Sequence, residues 1–172
     1  MLIDLPDEHR GKVNKQLTMN KTEKYQLIVK QIRALIEGET DPVAIMANVC
    51  AVLHEGLDFW WTGFYRVKDG ELLLGPFQGP VACMHIGYGC GVCGTAWKER
   101  RTVIVPDVEQ FPGHIACSSQ SRSEIVVPVF DANGTVVAVL DIDSKKLATF
   151  DEIDRQYLEE ILSQLRGLKS DV

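Results

Sequence analysis

The sequence predicts an α+β sandwich, an antiparallel sheet with the terminal helices on one side and short helices and loops on the other. Two observations carry that prediction. Apolar residues near both ends recur at helical spacing, whereas the middle reads as short apolar strands joined by turn residues. Strand and helix do not alternate there, which argues against a parallel, doubly wound sheet.

Residues 1–19 read as a loosely held arm and residues 20–172 as a single domain, with no internal repeat or low-complexity linker. From Asn20 the spacing of Tyr25, Ile28, Ile32, Leu35 and Ile36 follows one helical face. Asp41-Pro42 supplies an N-cap and a first-turn proline for a second helix. That helix turns Val43, Met46, Val49, Cys50 and Leu53 inward and is expected to stop at Gly56; Cys50, on this stripe, reads as core. "FWWTGFYRV" and "ELLLGPF" flank Asp69-Gly70, the signal of a type I′ hairpin. "VACMHI" is expected to be a short strand, followed by Gly-rich "GYGCGVCG", a brief helix "TAWKERR" and the strand "TVIV". After a polar loop bearing Cys117 come "EIVVPVF" and "TVVAVLDID", joined through Asp131-Ala132-Asn133-Gly134. A last helix is expected from about Phe150 to Leu168, opened by a Thr149/Glu152 capping box, with Ile153, Tyr157, Leu158, Ile161, Leu162 and Leu165 as its apolar stripe.

Composition narrows the function. At 45% hydrophobic and 24% charged residues, 172 residues bury a core without a covalent staple. The net charge of −6 argues against a nucleic-acid partner or an anionic membrane surface. No apolar run approaches the ~20 residues of a membrane span. The polar N-terminus lacks the apolar stretch of a signal peptide. The expected location is therefore cytoplasmic, where thiols stay reduced. A disulfide among Cys50, Cys83, Cys90, Cys93 and Cys117 would then be transient and catalytic rather than structural.

The motifs divide into weak and strong. "GCGVCG" at 89–94 matches G-x-G-x-x-G, but no βαβ unit surrounds it, so a turn needing glycine's φ freedom is the better reading. Cys83, His85, Cys90 and Cys93 form C-x-H-x4-C-x2-C, yet a zinc site made from one such loop is unusual. Cys90-x-x-Cys93 also has thioredoxin-like spacing without the thioredoxin architecture. The acidic residues are sharper. Asp141 and Asp143 lie two apart on one strand and so share a face. Glu124 opens the strand that pairs with it. Three carboxylates in one mouth should repel and raise at least one pKa, leaving a carboxyl group able to donate near neutral pH.

Along "WWTGFY", "GPFQGPVAC", "GVCGTAW", "VPDVEQFPGHIACSSQSRSEIVVPV" and "VLDIDS", the sequence resembles the free methionine-(R)-sulfoxide reductases, which are single-domain GAF proteins. The trio Cys83, Cys93 and Cys117, with the acidic set, carries the resemblance beyond the fold. It implies that Cys117 is the nucleophile and becomes a sulfenic acid as methionine leaves. It implies that Cys83 resolves that acid, with Cys93 able to join an alternative disulfide, and that thioredoxin restores the dithiol. Glu124, Asp141 and Asp143 match acidic pocket residues, and Trp61 and Tyr65 the aromatic wall around the substrate's methyl group. No bound cofactor or metal is implied, and a homodimer is expected. Two positions depart from the family pattern: Ser118 replaces an acidic residue after the nucleophile, and Cys90 a basic one. The alternative from a different class is a non-enzymatic sensor binding a small ligand or metal through the 83–93 cysteine loop.

Overall fold

A computed structural model describes residues 19–115, 117 and 119–168. Most of the expected arm, residues 1–18, and Ser118 lie outside the described residues. Among the described residues four α-helices and six strands follow one another, with a 3-10 turn at Val108–Gln110: α1 (Lys21–Ile36), α2 (Pro42–Leu57), β1 (Trp61–Lys68), β2 (Glu71–Gln78), β3 (His85–Gly87), α3 (Gly91–Glu99), β4 (Val103–Val105), β5 (Ser123–Phe130), β6 (Val136–Ser144) and α4 (Glu152–Ser163). The strands form one antiparallel sheet in the order β3-β2-β1-β6-β5-β4. The β1–β2 connection has Asp69 at φ 50° and Gly70 at φ 80°, the positive pair that a type I′ turn requires.

Alternation along the strands assigns each sheet face. Phe64, Ile125, Val127, Val129, Leu140 and Ile142 turn toward α1, α2 and α4 and make the larger core. Buried Cys50 belongs to it, and burial pushes its thiol up to about 12, as a structural cysteine should be. Trp61, Tyr65, Val126 and Val139 turn the other way, toward α3 and the loops. The terminal helices are joined by polar contacts too. Lys21 bridges Asp151 and Asp154, and Tyr25 Oη donates to Asp154 at 2.8 Å. This leaves the α3 face as the one with loops, and loops carry function.

Several local expectations need correction. Leu35 and Val43 are exposed; Val29 and Ile45 hold the inward positions because each true stripe lies one step around the helix. The second helix ends at Leu57 with Asp58 in the left-handed conformation, while Gly56 stays helical. Only His85 and Ile86 of "VACMHI" are strand, which runs on to Gly87, and Val81 and Met84 are exposed. The residues before β3 bring the Cys83 carbonyl to the Tyr65 hydroxyl on β1 instead. Helix α3 starts at Gly91, four residues before the expected Thr95, and so includes Cys93 in its first turn. The last helix spans only Glu152–Ser163, and Ile153 on its expected stripe is exposed. Its box is Asp151/Asp154: Asp151 accepts from the Ile153 and Asp154 amides, and the Asp154 side chain accepts from the Asp151 amide. Thr149 is instead taken up by a hydrogen bond to Ser144 Oγ at 2.7 Å. Asp154 also receives Lys21 and Tyr25, and that tertiary pairing favours the later of two overlapping boxes.

Candidate active site

The face between α3 and the sheet holds a cleft with about 560 Å³ of empty space, partly open to solvent. Four elements supply its chemistry. From β6 come Asp141 and Asp143, from β5 Glu124, from β1 Trp61 and Tyr65, and from α3 Cys93. The ladder fixes the carboxylates. Glu124 lies opposite Asp143, and Asp141 opposite Val126, so the three share one sheet face as the two-residue spacing predicts. On the other side Asp143 pairs with Trp61 and Asp141 with Gly63.

Trp61 is buried, stacks on Phe77 at 5.5 Å and donates from Nε1 to the Pro80 carbonyl at 2.9 Å. Tyr65 is buried beside it and donates its hydroxyl to the Cys83 carbonyl at 2.9 Å. That bond ties the aromatic wall to the backbone of a cysteine. Cys83 is itself joined to Cys117 in a disulfide, with Cα atoms 5.3 Å apart across 34 residues of sequence. Both cysteines are half-buried, and Cys117 lines the cleft.

The "GCGVCG" loop serves α3. Gly89 and Gly91 have φ of 75° and 58°, as the turn reading requires. Gly94 has a different reason: a Cβ there would meet the Gly87 carbonyl oxygen at 2.4 Å. This close approach seats the first turn of α3 on the cleft and points Cys93, 4% exposed, toward Glu124 Oε1 at 4.0 Å. The C-x-H-x4-C-x2-C set does not gather. His85 is exposed and pairs with Glu71 at 2.7 Å, Cys83 is in the disulfide, and Cys90 is an exposed free thiol at the α3 N-cap.

Electrostatics follow from burial. Glu124 is 6% and Asp141 7% exposed. Burial first, then the neighbouring carboxylates, hold Glu124 and Asp141 well above the ordinary range for acids. Burial also pushes Asp143 up to about 6, against an opposing hydrogen bond from Ser121. The Cys93 thiol is raised by burial and by the three acids, so it rests neutral. Burial thus favours neutral carboxyls at Glu124 and Asp141 beside a largely ionised Asp143 at neutral pH, a donor and an anion in one small space.

Two polar side chains of the lining, Ser121 and His114, carry no signal in the sequence. Ser121 donates to Asp143, but it is one of four serines between 118 and 123, and no periodicity singles it out. His114 lines the cleft three residues before Cys117, and a single loop histidine carries no pattern.

Fold and cleft together define a small-molecule-binding domain with a thiol redox pair at its mouth. The GAF domain family matches residues 39–166. The free methionine-R-sulfoxide reductase of Escherichia coli is 46% identical over 148 residues, 86% of this chain and 89% of that protein. A GAF domain-containing protein A of Dictyostelium discoideum is 54% identical, covering 85% of this chain and 92% of that one. The X-ray structure of a free methionine-R-sulfoxide reductase from Neisseria meningitidis, in complex with its substrate, superposes with a TM-score of 0.84. It is 50% identical and covers 87% of this chain and 90% of that one. The chain belongs to the free methionine-R-sulfoxide reductases, a branch of the GAF-domain family.

Proposed function

We propose that this chain reduces free methionine-(R)-sulfoxide to methionine, with Cys117 as nucleophile and Cys83 as resolving thiol. The observation that carries the reading is the Cys83–Cys117 disulfide at the mouth of a cleft floored by three acids. A sulfoxide oxygen is a poor leaving group until it is protonated. The Cys117 thiolate attacks the sulfoxide sulfur while a protonated carboxyl of the Glu124/Asp141/Asp143 set hands its proton to the oxygen. The protonated oxygen then passes from the substrate sulfur to the Cys117 sulfur as the transient S–S bond breaks toward methionine, so methionine leaves and Cys117 is left as a sulfenic acid. The Cys83 thiol then displaces water from that sulfur, and two thiols have become one disulfide. The Tyr65–Cys83 hydrogen bond holds the resolving residue within reach.

The ionised Asp143 of the acidic set pairs with the ammonium of a free amino acid, which selects it over a residue inside a peptide. Trp61 and Tyr65 line the space for the methyl group. Thioredoxin recycles the disulfide, the chain works in the cytoplasm as a homodimer, and no bound cofactor takes part. Among the described residues no helix is long and apolar enough to cross a membrane. The test is an assay with R and S epimers, free and within a peptide, under thioredoxin recycling. Reduction of the free R epimer alone is expected. Efficient reduction of the peptide sulfoxide would refute the ammonium-binding role of the acids.

A further inference from the structure

The floor of the cleft holds a donor set that sulfoxide reduction does not use as a set. Cys93 Sγ and one carboxylate oxygen each from Glu124 and Asp141 lie within 4.8 Å of one another, and all three residues are buried. They come from three elements, α3, β5 and β6, that the sheet and the α3 seat fix in place. The reaction assigns no step to Cys93 while Cys83 and Cys117 are joined. Asp141 lines the cleft, and among the described residues its Oδ1 is buried with no hydrogen-bond partner. Such an orphan is costly unless a ligand meets it.

We propose that Cys93, Glu124 and Asp141 form a binding site for a thiophilic divalent cation of the zinc or cadmium kind, which shuts the cleft to substrate. Binding expels the protons that Cys93 and the buried acids hold; the resulting thiolate and carboxylates suit such an ion, and three protein ligands leave a fourth position open to water. Zinc bonded to sulfur at about 2.3 Å and to oxygen at about 2.0 Å in tetrahedral geometry separates those donors by about 3.5 Å. Closing from the 4.8 Å limit requires side-chain movements of about 1 Å, within reach of the flexible Glu124 side chain. The ion would sit where the acids otherwise meet sulfoxide and ammonium. Inhibition therefore rests on the proposed reaction, whereas binding does not. The conspicuous cysteine/histidine spacing of the 83–93 loop contributes only Cys93 to this site.

The experiment titrates the full chain, with its Cys83–Cys117 disulfide formed, with zinc alone and with cadmium alone. One ion per chain and an ultraviolet cadmium–thiolate charge-transfer band are expected. Cys93→Ser should abolish the band and weaken zinc at least about tenfold. Asp141→Asn keeps the thiol and should retain the band at saturating cadmium while weakening zinc by a similar factor. Cys90→Ser should change neither, and circular dichroism checks that each variant is folded. A band that survives Cys93→Ser, or that Cys90→Ser removes, would overturn the site. With active protein, zinc should compete with free methionine sulfoxide. Non-competitive inhibition would overturn the claim that the ion blocks the cleft, whatever the binding result.

Discussion

Replacing Asp143 by asparagine should make the protein more stable and the enzyme slower. Asp143 accepts from Ser121 and faces Glu124 across the β5–β6 ladder, and burial raises it from the ordinary 3.8 to about 6. The native state thus holds this proton more tightly than the unfolded chain does. Its contribution is most favourable below about pH 4 and is lost as pH rises through about 6. At 1.36 kcal/mol per tenfold, the interval between 3.8 and about 6 makes the ionised group cost at most about 3 kcal/mol at neutral pH. Asparagine removes that charge, keeps the size and still accepts from Ser121. It also relieves Glu124 and Asp141, both of which Asp143 pushes upward. Urea unfolding at a series of pH values should show Asp143→Asn more stable than wild type by about 1–3 kcal/mol near pH 7.5. The gain should shrink by about 2 kcal/mol on going to about pH 4.5. Turnover of free methionine-(R)-sulfoxide should fall about 10- to 10²-fold, because the ionised carboxylate that meets the substrate ammonium is lost. Equal pH slopes in the two proteins, or a less stable variant at neutral pH, would refute the assignment of a strained carboxylate here.

Other outcomes follow from the same geometry. Glu124→Gln keeps a hydrogen-bond donor but no transferable proton, so turnover should fall at least about 10²-fold and the alkaline limb of the pH profile should move; a profile like wild type contradicts this. Cys83→Ser should release about one methionine per chain and then stall under thioredoxin with a sulfenic acid trappable on Cys117, whereas full thioredoxin-driven turnover would give the resolving role to another thiol. N-acetylmethionine sulfoxide, lacking the ammonium, should be a poor substrate for the wild type in a steady-state comparison with the free amino acid. Gly94→Ala places a methyl 2.4 Å from the Gly87 carbonyl oxygen and should cost about 1–3 kcal/mol in denaturant unfolding, with cleft activity lost alongside as α3 shifts.

The sheet and the acidic floor were legible because their signals are periodic. Asp141 and Asp143 two apart, and Glu124 at the start of the pairing strand, need only alternation and one hairpin to converge. Asp69-Gly70 announced its own turn. Helix ends were less legible. Val43 and Ile153 sit at the margins of stripes that one more turn of context would shift, and Thr149 lost its capping role to a box secured by Lys21 from the far end of the chain. Helix α3 was read too short because its glycines look like loop residues, while Gly94 is needed for close packing rather than for flexibility. The contacts that give Cys93 and Ser121 their places join elements distant in sequence, and no local pattern encodes them.

The central claim is that Cys117 takes the sulfoxide oxygen. It is tested most directly by a single-turnover reaction of the reduced protein with free methionine-(R)-sulfoxide, followed by mass mapping of the thiols. Wild type should release about one methionine per chain and yield a Cys83–Cys117 disulfide, and folded Cys117→Ser should release none, because a hydroxyl is a far weaker nucleophile than a thiolate at neutral pH. Methionine released at the wild-type yield by Cys117→Ser, with the new disulfide mapped to Cys90 and Cys93, would contradict it.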